Sequence, residues 1–127
     1  MKLRLLGNSI RLRLTQSEVG RVGQGDTVVE ATTFADGARF EFALGPHESA
    51  GDPGQVTARF DSGRLTVSAP RALLASWAAT DRVALAAPDE NASPRVLVEK
   101  DFNCLVPRDG DDDADTFPHP KQDTERC

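Results

Sequence analysis

Polar and apolar residues alternate in short runs within the first 102 residues, and stretches that contain glycine, asparagine and aspartate separate these runs. The alternation is clearest in Ile10–Leu14 and Leu65–Ala69, where every second residue is apolar. A period of two is typical of strands that bury one face. The pattern predicts eight strands: Lys2–Leu5, Ile10–Leu14, Thr27–Phe34, Ala38–Leu44, Gln55–Phe60, Leu65–Ala69, Arg82–Ala86 and Arg95–Phe102.

Two short helices are predicted between these strands. Thr15–Glu18 fits a capping box, in which the threonine hydroxyl and the glutamate carboxylate satisfy free backbone N–H groups. Val19 and Val22 would then share one side of the first helix. Pro70 suits the first position of the second helix, because its missing N–H is not needed there. Helical spacing places three apolar residues on one buried side of that helix: Leu73, Leu74 and Trp77.

The second half of the chain repeats the plan of the first half at an offset of 55 residues. Asn8–Glu30 aligns with Gly63–Leu85 over 23 positions without a gap, and Val28 is aligned with Val83. A ββαβ unit cannot bury its apolar faces alone, so two such units are expected to close one core. The predicted fold is mainly β (α+β): a small β-barrel of two ββαβ repeats with two short helices.

The chain is expected to hold one domain and an acidic tail. Its 127 residues fit a single domain over residues 1–102, with halves at about 1–44 and 55–102 and a linker over 45–54. Residues 103–127 hold seven acidic and three basic residues, which accounts for −4 of the formal charge of −5. Such a run is typical of a solvated segment, so a disordered acidic C-terminal tail is predicted.

Two stretches resemble a known DNA-binding fold. Gly7–Leu14, a short helix and then Gly25–Val28 look like the DNA-binding half of the MazE antitoxin and AbrB regulator families, and Leu65–Val83 is similar to the same pattern. The resemblance implies an AbrB-like swapped-hairpin or double-psi barrel that holds both units in one chain.

The whole chain also resembles a group of small, functionally uncharacterised bacterial proteins. The shared features are the GNSIRLRL opening, the VEKDF-x-C segment at Val98–Cys104 and an acidic tail with a Phe-Pro-type ending. This resemblance implies a domain of unknown function and no activity.

Four basic residues form the candidate nucleic-acid or anion site: Lys2, Arg4, Arg11 and Arg13. A hairpin at Gly7 and Asn8 would place them on the face opposite the core, and in AbrB-like proteins the corresponding face contacts phosphates. The plainer alternative is that they are outward positions of two solvated strands. The matching outward positions of the second half are far less basic: Thr57, Arg59, Thr66 and Ser68.

No catalytic residue, cofactor site or metal site is predicted. His47 and His119 fall in expected loops, which hold a nucleophile and its base poorly. The triplet of Cys104, His119 and Cys127 matches no compact zinc spacing. The aspartates of the tail lack the glycine and the glutamate that a calcium loop requires.

The function expected from these observations is a non-enzymatic binding or accessory module that acts through a protein partner, with the acidic tail as one possible contact. The alternative is an AbrB- or MazE-like DNA-binding regulator or an antitoxin-like protein. No membrane segment is expected, so the predicted location is the cytoplasm, as a monomer or homodimer. Cys104 and Cys127 would then be free thiols.

Overall fold

The computed structural model describes residues 1–47, 55–86, 93–102 and Phe117. Each predicted strand and helix is present in this part of the chain, with bounds within two residues of those predicted. The elements are β1 (Lys2–Leu6), β2 (Ser9–Leu14), α1 (Gln16–Gly23), β3 (Val28–Thr33), β4 (Arg39–Pro46), β5 (Thr57–Asp61), β6 (Arg64–Ala69), α2 (Arg71–Ala79), β7 (Ala84–Ala86) and β8 (Arg95–Lys100).

The strands form two four-stranded sheets, each built from both halves of the chain. The first sheet has the order β1-β2-β8-β7 and the second sheet the order β5-β6-β4-β3. In each sheet two antiparallel hairpins meet along a parallel pair, β2 with β8 in the first and β6 with β4 in the second. The two halves are therefore interleaved: each half gives one hairpin to each sheet.

The mainly β fold with two helices is confirmed, whereas the predicted barrel is not closed. Over residues 1–47, 55–86 and 93–102, no ladder joins the two sheets, and β1, β3, β5 and β7 each have one strand neighbour. A closed barrel needs two neighbours for every strand. Here the apolar faces are completed by side chains of the helices, which share one core cluster with both sheets.

Each half has the order ββαββ, and the predicted register of the repeat is wrong after the second helix. Val28 on β3 lies opposite Leu44, and Leu85 on β7 lies opposite Val98, so Leu85 takes the place of Val28. Val83, the predicted match, is 39% exposed, whereas Leu85 is 0% exposed. The slip of two residues arises between the start of each helix and the following strand: Leu85 lies 14 positions after the first residue of α2, whereas Val28 lies 12 positions after the first residue of α1.

The helices begin in different ways. The predicted capping box is confirmed: the Thr15 N–H donates to Glu18 Oε1 at 3.0 Å, and the Glu18 N–H donates to the Thr15 hydroxyl at 3.4 Å. The second helix follows Pro70 without a side-chain cap.

The two helices touch at matching positions. A Cβ added to Gly23 of α1 would lie 2.5 Å from the Cβ of Ala78 on α2. These two residues are 55 positions apart, as are the starts of the two helices. Contact between a position and its own counterpart is what a twofold-like interface produces. The close approach requires a residue without a side chain on one of the two helices.

Two boundaries differ from those predicted. Strand β4 continues through Gly45 to Pro46, so these residues belong to the second sheet and not to a linker. Phe117, in the predicted tail, donates its N–H to the Asp101 carbonyl at 2.6 Å, and its ring packs on Phe102 at a centroid distance of 5.7 Å. The predicted disordered tail and its acidic run otherwise lie outside the described residues, as do Cys104, His119 and Cys127.

Neither described helix has the length and apolar character needed to span a bilayer.

Candidate functional site

The four basic residues predicted from the sequence lie together on the outer face of the first sheet. In the β1–β2 hairpin Lys2 is opposite Arg13, and Arg4 is opposite Arg11. Directly opposed residues share one face of a sheet, and the other face carries the core residues of β2. We call the outer surface formed by these four residues the basic face.

Acidic residues from β8 and its end neutralise most of the basic face. Glu99 Oε1 lies 2.7 Å from Arg13 Nε and 3.5 Å from Arg11 Nε. Lys2 Nζ lies 3.2 Å from Asp101 Oδ2. Arg4 alone among the four has no ion pair within the described part of the chain. The basic face is therefore satisfied largely by the protein itself.

The outer face of the second sheet forms an open groove of about 700 Å³. This volume lies within the range of about 300–1,000 Å³ that is usual for ligand sites. We call it the hydroxyl groove, since four of its eleven lining residues are Thr or Ser. Its lining is Thr27, Val29, Gly45, Pro46, His47, Thr57, Arg59, Asp61, Arg64, Thr66 and Ser68.

Strand pairing accounts for the shape of this groove. Ser68 on β6 is paired with Gly45 on one side and with Thr57 on the other. Gly45 offers no side chain, and a Cβ there would collide with the side chain of Thr27. The Thr27 side chain therefore packs against Gly45, and the hydroxyl-bearing side chains of Thr57 and Ser68 line the groove beside it.

Several polar groups of the hydroxyl groove have no partner within the part of the chain that the structure describes. The hydroxyls of Thr27, Thr57, Thr66 and Ser68 make no hydrogen bond within residues 1–47, 55–86 and 93–102. The guanidinium groups of Arg59 and Arg64 make no ion pair within the same residues. The groove thus presents unused hydrogen-bond donors together with two positive charges, which is a suitable lining for a ligand rich in acceptor oxygens.

Two further polar residues lie near opposite ends of the hydroxyl groove. Asp61 is paired with Arg64 at the end of β5 and accepts a hydrogen bond from the Ser62 hydroxyl at 3.2 Å. His47 follows β4, and its Nε2 lies 2.7 Å from the carbonyl oxygen of Gln55. The sequence placed His47 in a mobile linker, whereas the structure attaches its backbone to the end of β6 through a 3.0 Å bond to Ala69.

The basic face and the hydroxyl groove occupy equivalent positions in the two sheets. Arg13 is paired with Glu99 in the first sheet, and Ser68 is paired with Gly45 in the second. The backbone repeats as well, because the bond from His47 N–H to Ala69 has its counterpart in a 2.8 Å bond from Asp101 N–H to Leu14. One fold position therefore carries a carboxylate in the first sheet, whereas in the second sheet it is a glycine against which the Thr27 side chain packs.

Sequence reasoning named several residues of this groove but did not identify it as a site. In the sequence, Thr57, Arg59, Thr66 and Ser68 stand out only as outward positions that are far less basic than their counterparts in the first half. The available signal was their alternation with core residues on two adjacent strands. Its meaning depended on Gly45, which was assigned to a linker, so the open floor was not predictable from the hairpin itself.

The match to a protein family covers both faces and Phe117. The model of a family of unknown function, DUF7009, matches residues 1–121 of the chain. The chain belongs to this family. No curated protein and no solved structure matches it. The predicted resemblance to an uncharacterised family is thus confirmed at the level of DUF7009, while the likeness to AbrB and MazE stays a prediction.

Within the described part of this DUF7009 chain, no three His, Cys, Asp or Glu side chains come together in a group that could hold a metal ion.

Lys100 is a buried lysine on the core side of β8. It is 6% exposed, its Nζ donates to the Thr80 carbonyl at 2.7 Å, and it lies 5.3 Å from the centre of the Phe117 ring. Burial lowers the pKa of Lys100, and the negative charge of Asp81 acts in the opposite direction. The residue lies outside the hydroxyl groove and joins the end of α2 to Phe117.

The free energy of unfolding of the wild type is expected to rise with pH in the alkaline range, and we expect Lys100→Met to abolish this rise. Between its lowered pKa and the ordinary value of 10.5, the unfolded chain binds the lysine proton and the folded chain does not. The free energy of unfolding therefore rises with pH across that window, levels off above it, and gains no slope from Lys100 below it. Urea unfolding at a series of pH values, followed by Trp77 fluorescence, measures this slope.

The control for this experiment is Lys2→Met, which removes an exposed lysine. Equal pH slopes in the wild type and in Lys100→Met would contradict the prediction.

Proposed function

We propose that this chain is a non-enzymatic cytoplasmic binding module that holds a protein partner in the hydroxyl groove of the second sheet. The observation that carries the proposal is the contrast between the two equivalent faces. On the first sheet Glu99 pairs with Arg11 and Arg13, whereas the groove hydroxyls and guanidinium groups of the second sheet have no partners among the described residues. Free donors around an open floor favour recognition of an external polar group.

The arrangement of groups in the groove supports binding rather than catalysis. A nucleophile needs a general base within hydrogen-bond reach, about 3 Å. None of the four groove hydroxyls is hydrogen-bonded to His47 or Asp61 in the described part of the chain. The expected absence of a catalytic residue therefore stays part of the proposal.

The DNA-binding alternative would use the basic face. Phosphate binding depends on the number of cations that are available to replace counterions. On this face Arg11 and Arg13 share Glu99, and Lys2 is paired with Asp101. These carboxylates reduce the positive charge presented to a phosphate backbone, so the groove is the better supported site.

We expect Ser68→Phe to remove binding of the natural partner. A phenyl ring at this position would stand over the floor at Gly45 and fill part of the groove. The matched control is Arg13→Phe, the same change at the equivalent position of the first sheet. The immobilised full chain and both variants would be exposed to a lysate of the source cells, and the bound proteins quantified by mass spectrometry.

The expected result is a partner set that is reduced at least tenfold by Ser68→Phe and retained by Arg13→Phe. Equal sets from all three chains would contradict the proposal. Consumption of a captured ligand on incubation would contradict its non-enzymatic part. Salt-dependent binding of duplex DNA that is lost in Arg13→Phe would instead favour the DNA-binding alternative, because backbone contacts show a steep salt dependence.

A further inference from the structure

We infer that the hydroxyl groove recognises carboxylate groups, in the place that the Glu99 carboxylate takes on the first sheet, and that their source is an acidic segment of the partner protein. This inference rests on the proposed function, because it assumes that the groove is the binding site. It adds the chemical class of the ligand.

The equivalence of Glu99 and Gly45 follows from the strand registers. Glu99 is the parallel partner of Arg13, and Gly45 is the parallel partner of Ser68. Arg13 and Ser68 occupy the same position in β2 and β6, which begin 55 residues apart. Both partners also have equivalent neighbours: Glu99 is paired with Ala84 on β7, and Gly45 is in contact with Thr27, which directly precedes β3.

The first sheet shows how this position holds a carboxylate. The Glu99 side chain is 16% exposed and lies across the face, within 2.7 Å of Arg13 Nε and 3.5 Å of Arg11 Nε. On the second sheet Gly45 has no side chain and the Thr27 side chain packs against it, so no carboxylate projects from this position over Ser68 and Thr66. A carboxylate bound over these two residues would come from outside the described part of the chain.

The groups around the open position suit a carboxylate. Ser68 and Thr66 stand where Arg13 and Arg11 stand in the first sheet, and they can donate hydrogen bonds to its oxygens. Arg59 is paired with Thr66 across the β5–β6 hairpin and brings a positive charge beside them. Charge-assisted bonds from guanidinium to carboxylate are among the strong interactions of protein surfaces.

The rest of the lining favours a carboxylate over a cation or a nucleobase. Arg59 and Arg64 outweigh the single acid of the groove, Asp61, so an anion is preferred to a cation. Among the described residues the lining includes no Phe, Tyr or Trp, so a nucleobase would find only the His47 imidazole to stack on. An acidic peptide segment supplies carboxylates without requiring a stacking platform.

The test uses a fluorescein-labelled hexaglutamate peptide and fluorescence anisotropy with the full chain. Thr27→Ala/Gly45→Glu copies the Ala84 and Glu99 pair of the first sheet into the groove, so the chain would occupy its own site. We expect this variant to bind the peptide at least tenfold more weakly than the wild type. The matched reference, Thr27→Ala/Gly45→Ala, opens the same space without a carboxylate and should bind the peptide at least tenfold more tightly than Thr27→Ala/Gly45→Glu.

A variant that is expected to bind more tightly gives a second measurement, since a failure to fold could not produce tighter binding. Ser68→Arg places the equivalent of Arg13 in the groove, and we expect it to tighten hexaglutamate binding at least threefold. Arg59→Gln should weaken it by a similar factor. Unchanged affinity in both variants would overturn the inference.

Three comparison ligands test whether the groove binds a peptide or a small anion, a carboxylate or a phosphate, and an anion or a cation. Hexaglutamate binding that excess glutarate does not displace supports an acidic segment, whereas glutarate binding of equal strength would overturn the peptide source. Tighter binding of a hexaphosphoserine peptide, lost in Thr27→Ala/Gly45→Glu, would overturn the carboxylate class. Equal binding of hexalysine would overturn the recognition of anions.

Failure of this inference is distinguishable from failure of the proposed function. If Ser68→Phe removes the natural partner while hexaglutamate does not bind the wild type, the groove remains the binding site and the carboxylate class is wrong. If Ser68→Phe leaves the partner set unchanged, the proposed function itself fails.

Discussion

Trp77→Ala is expected to lower the free energy of unfolding by about 3–5 kcal/mol, the range for removal of a large buried aromatic side chain. Trp77 is 0% exposed and is part of the core cluster that unites both sheets and both helices. Its indole Nε1 also donates to the Val83 carbonyl at 3.1 Å. Because a domain of this kind is stable by about 5–15 kcal/mol, such a loss would remove a large part of its stability.

Urea unfolding followed by circular dichroism measures this effect, since the substitution removes the single tryptophan of the chain. The control is Trp77→Phe, which keeps most of the apolar volume and loses the hydrogen bond, at an expected cost of about 1–2 kcal/mol. A loss below about 1 kcal/mol in Trp77→Ala would show that the indole is not packed in the shared core.

Gly23→Leu is expected to cost about 2–3 kcal/mol, because it overfills the contact between the two helices. A Cβ at position 23 already lies 2.5 Å from Ala78 Cβ, and a longer side chain would force the helices apart. Gly20→Leu is the matched control in the same helix, since a Cβ at position 20 meets nothing within 4 Å. Urea unfolding followed by Trp77 fluorescence measures both variants.

The twofold-like character of this contact gives a sharper version of the test. Exchanging the two residues, in Gly23→Ala/Ala78→Gly, should restore stability that Gly23→Ala loses, with a coupling energy of about 1 kcal/mol or more. Additive effects of the two substitutions would contradict the contact between equivalent positions. A cost of Gly20→Leu equal to that of Gly23→Leu would show that position 23 has no special packing.

The sequence predicted the local structure of this protein well because each signal depended on neighbours along the chain. Alternation of apolar residues identified the strands, and Thr15 and Glu18 identified the start of the first helix. The co-location of Lys2, Arg4, Arg11 and Arg13 also followed from local information, since a tight hairpin fixes which residues face each other.

The candidate site depended on pairings between residues far apart in the chain. The parallel pairing of β2 with β8 brings the Glu99 carboxylate to Arg11 and Arg13 and neutralises their charges. No local sequence pattern predicts this ion pairing. The parallel pairing of β4 with β6 places Gly45 beside Ser68 and opens the groove. The two-residue slip before Leu85 could not be detected from the sequence either. Alternation shows which residues of a strand face the core, and a shift of two residues leaves the same residues on that face.

The sequence by itself therefore determined the strands, the helices, the repeated plan and the composition of each outer face. The tertiary structure decided which hairpins share a sheet, that the sheets stay open at their edges, and which of the two equivalent faces is filled. The physical reason is that periodicity records the burial of a residue, whereas charge pairing and open space depend on which strand lies beside it. Glu99 and Gly45 occupy the same position in the two sheets, and only their neighbours show that one site is filled and the other is open.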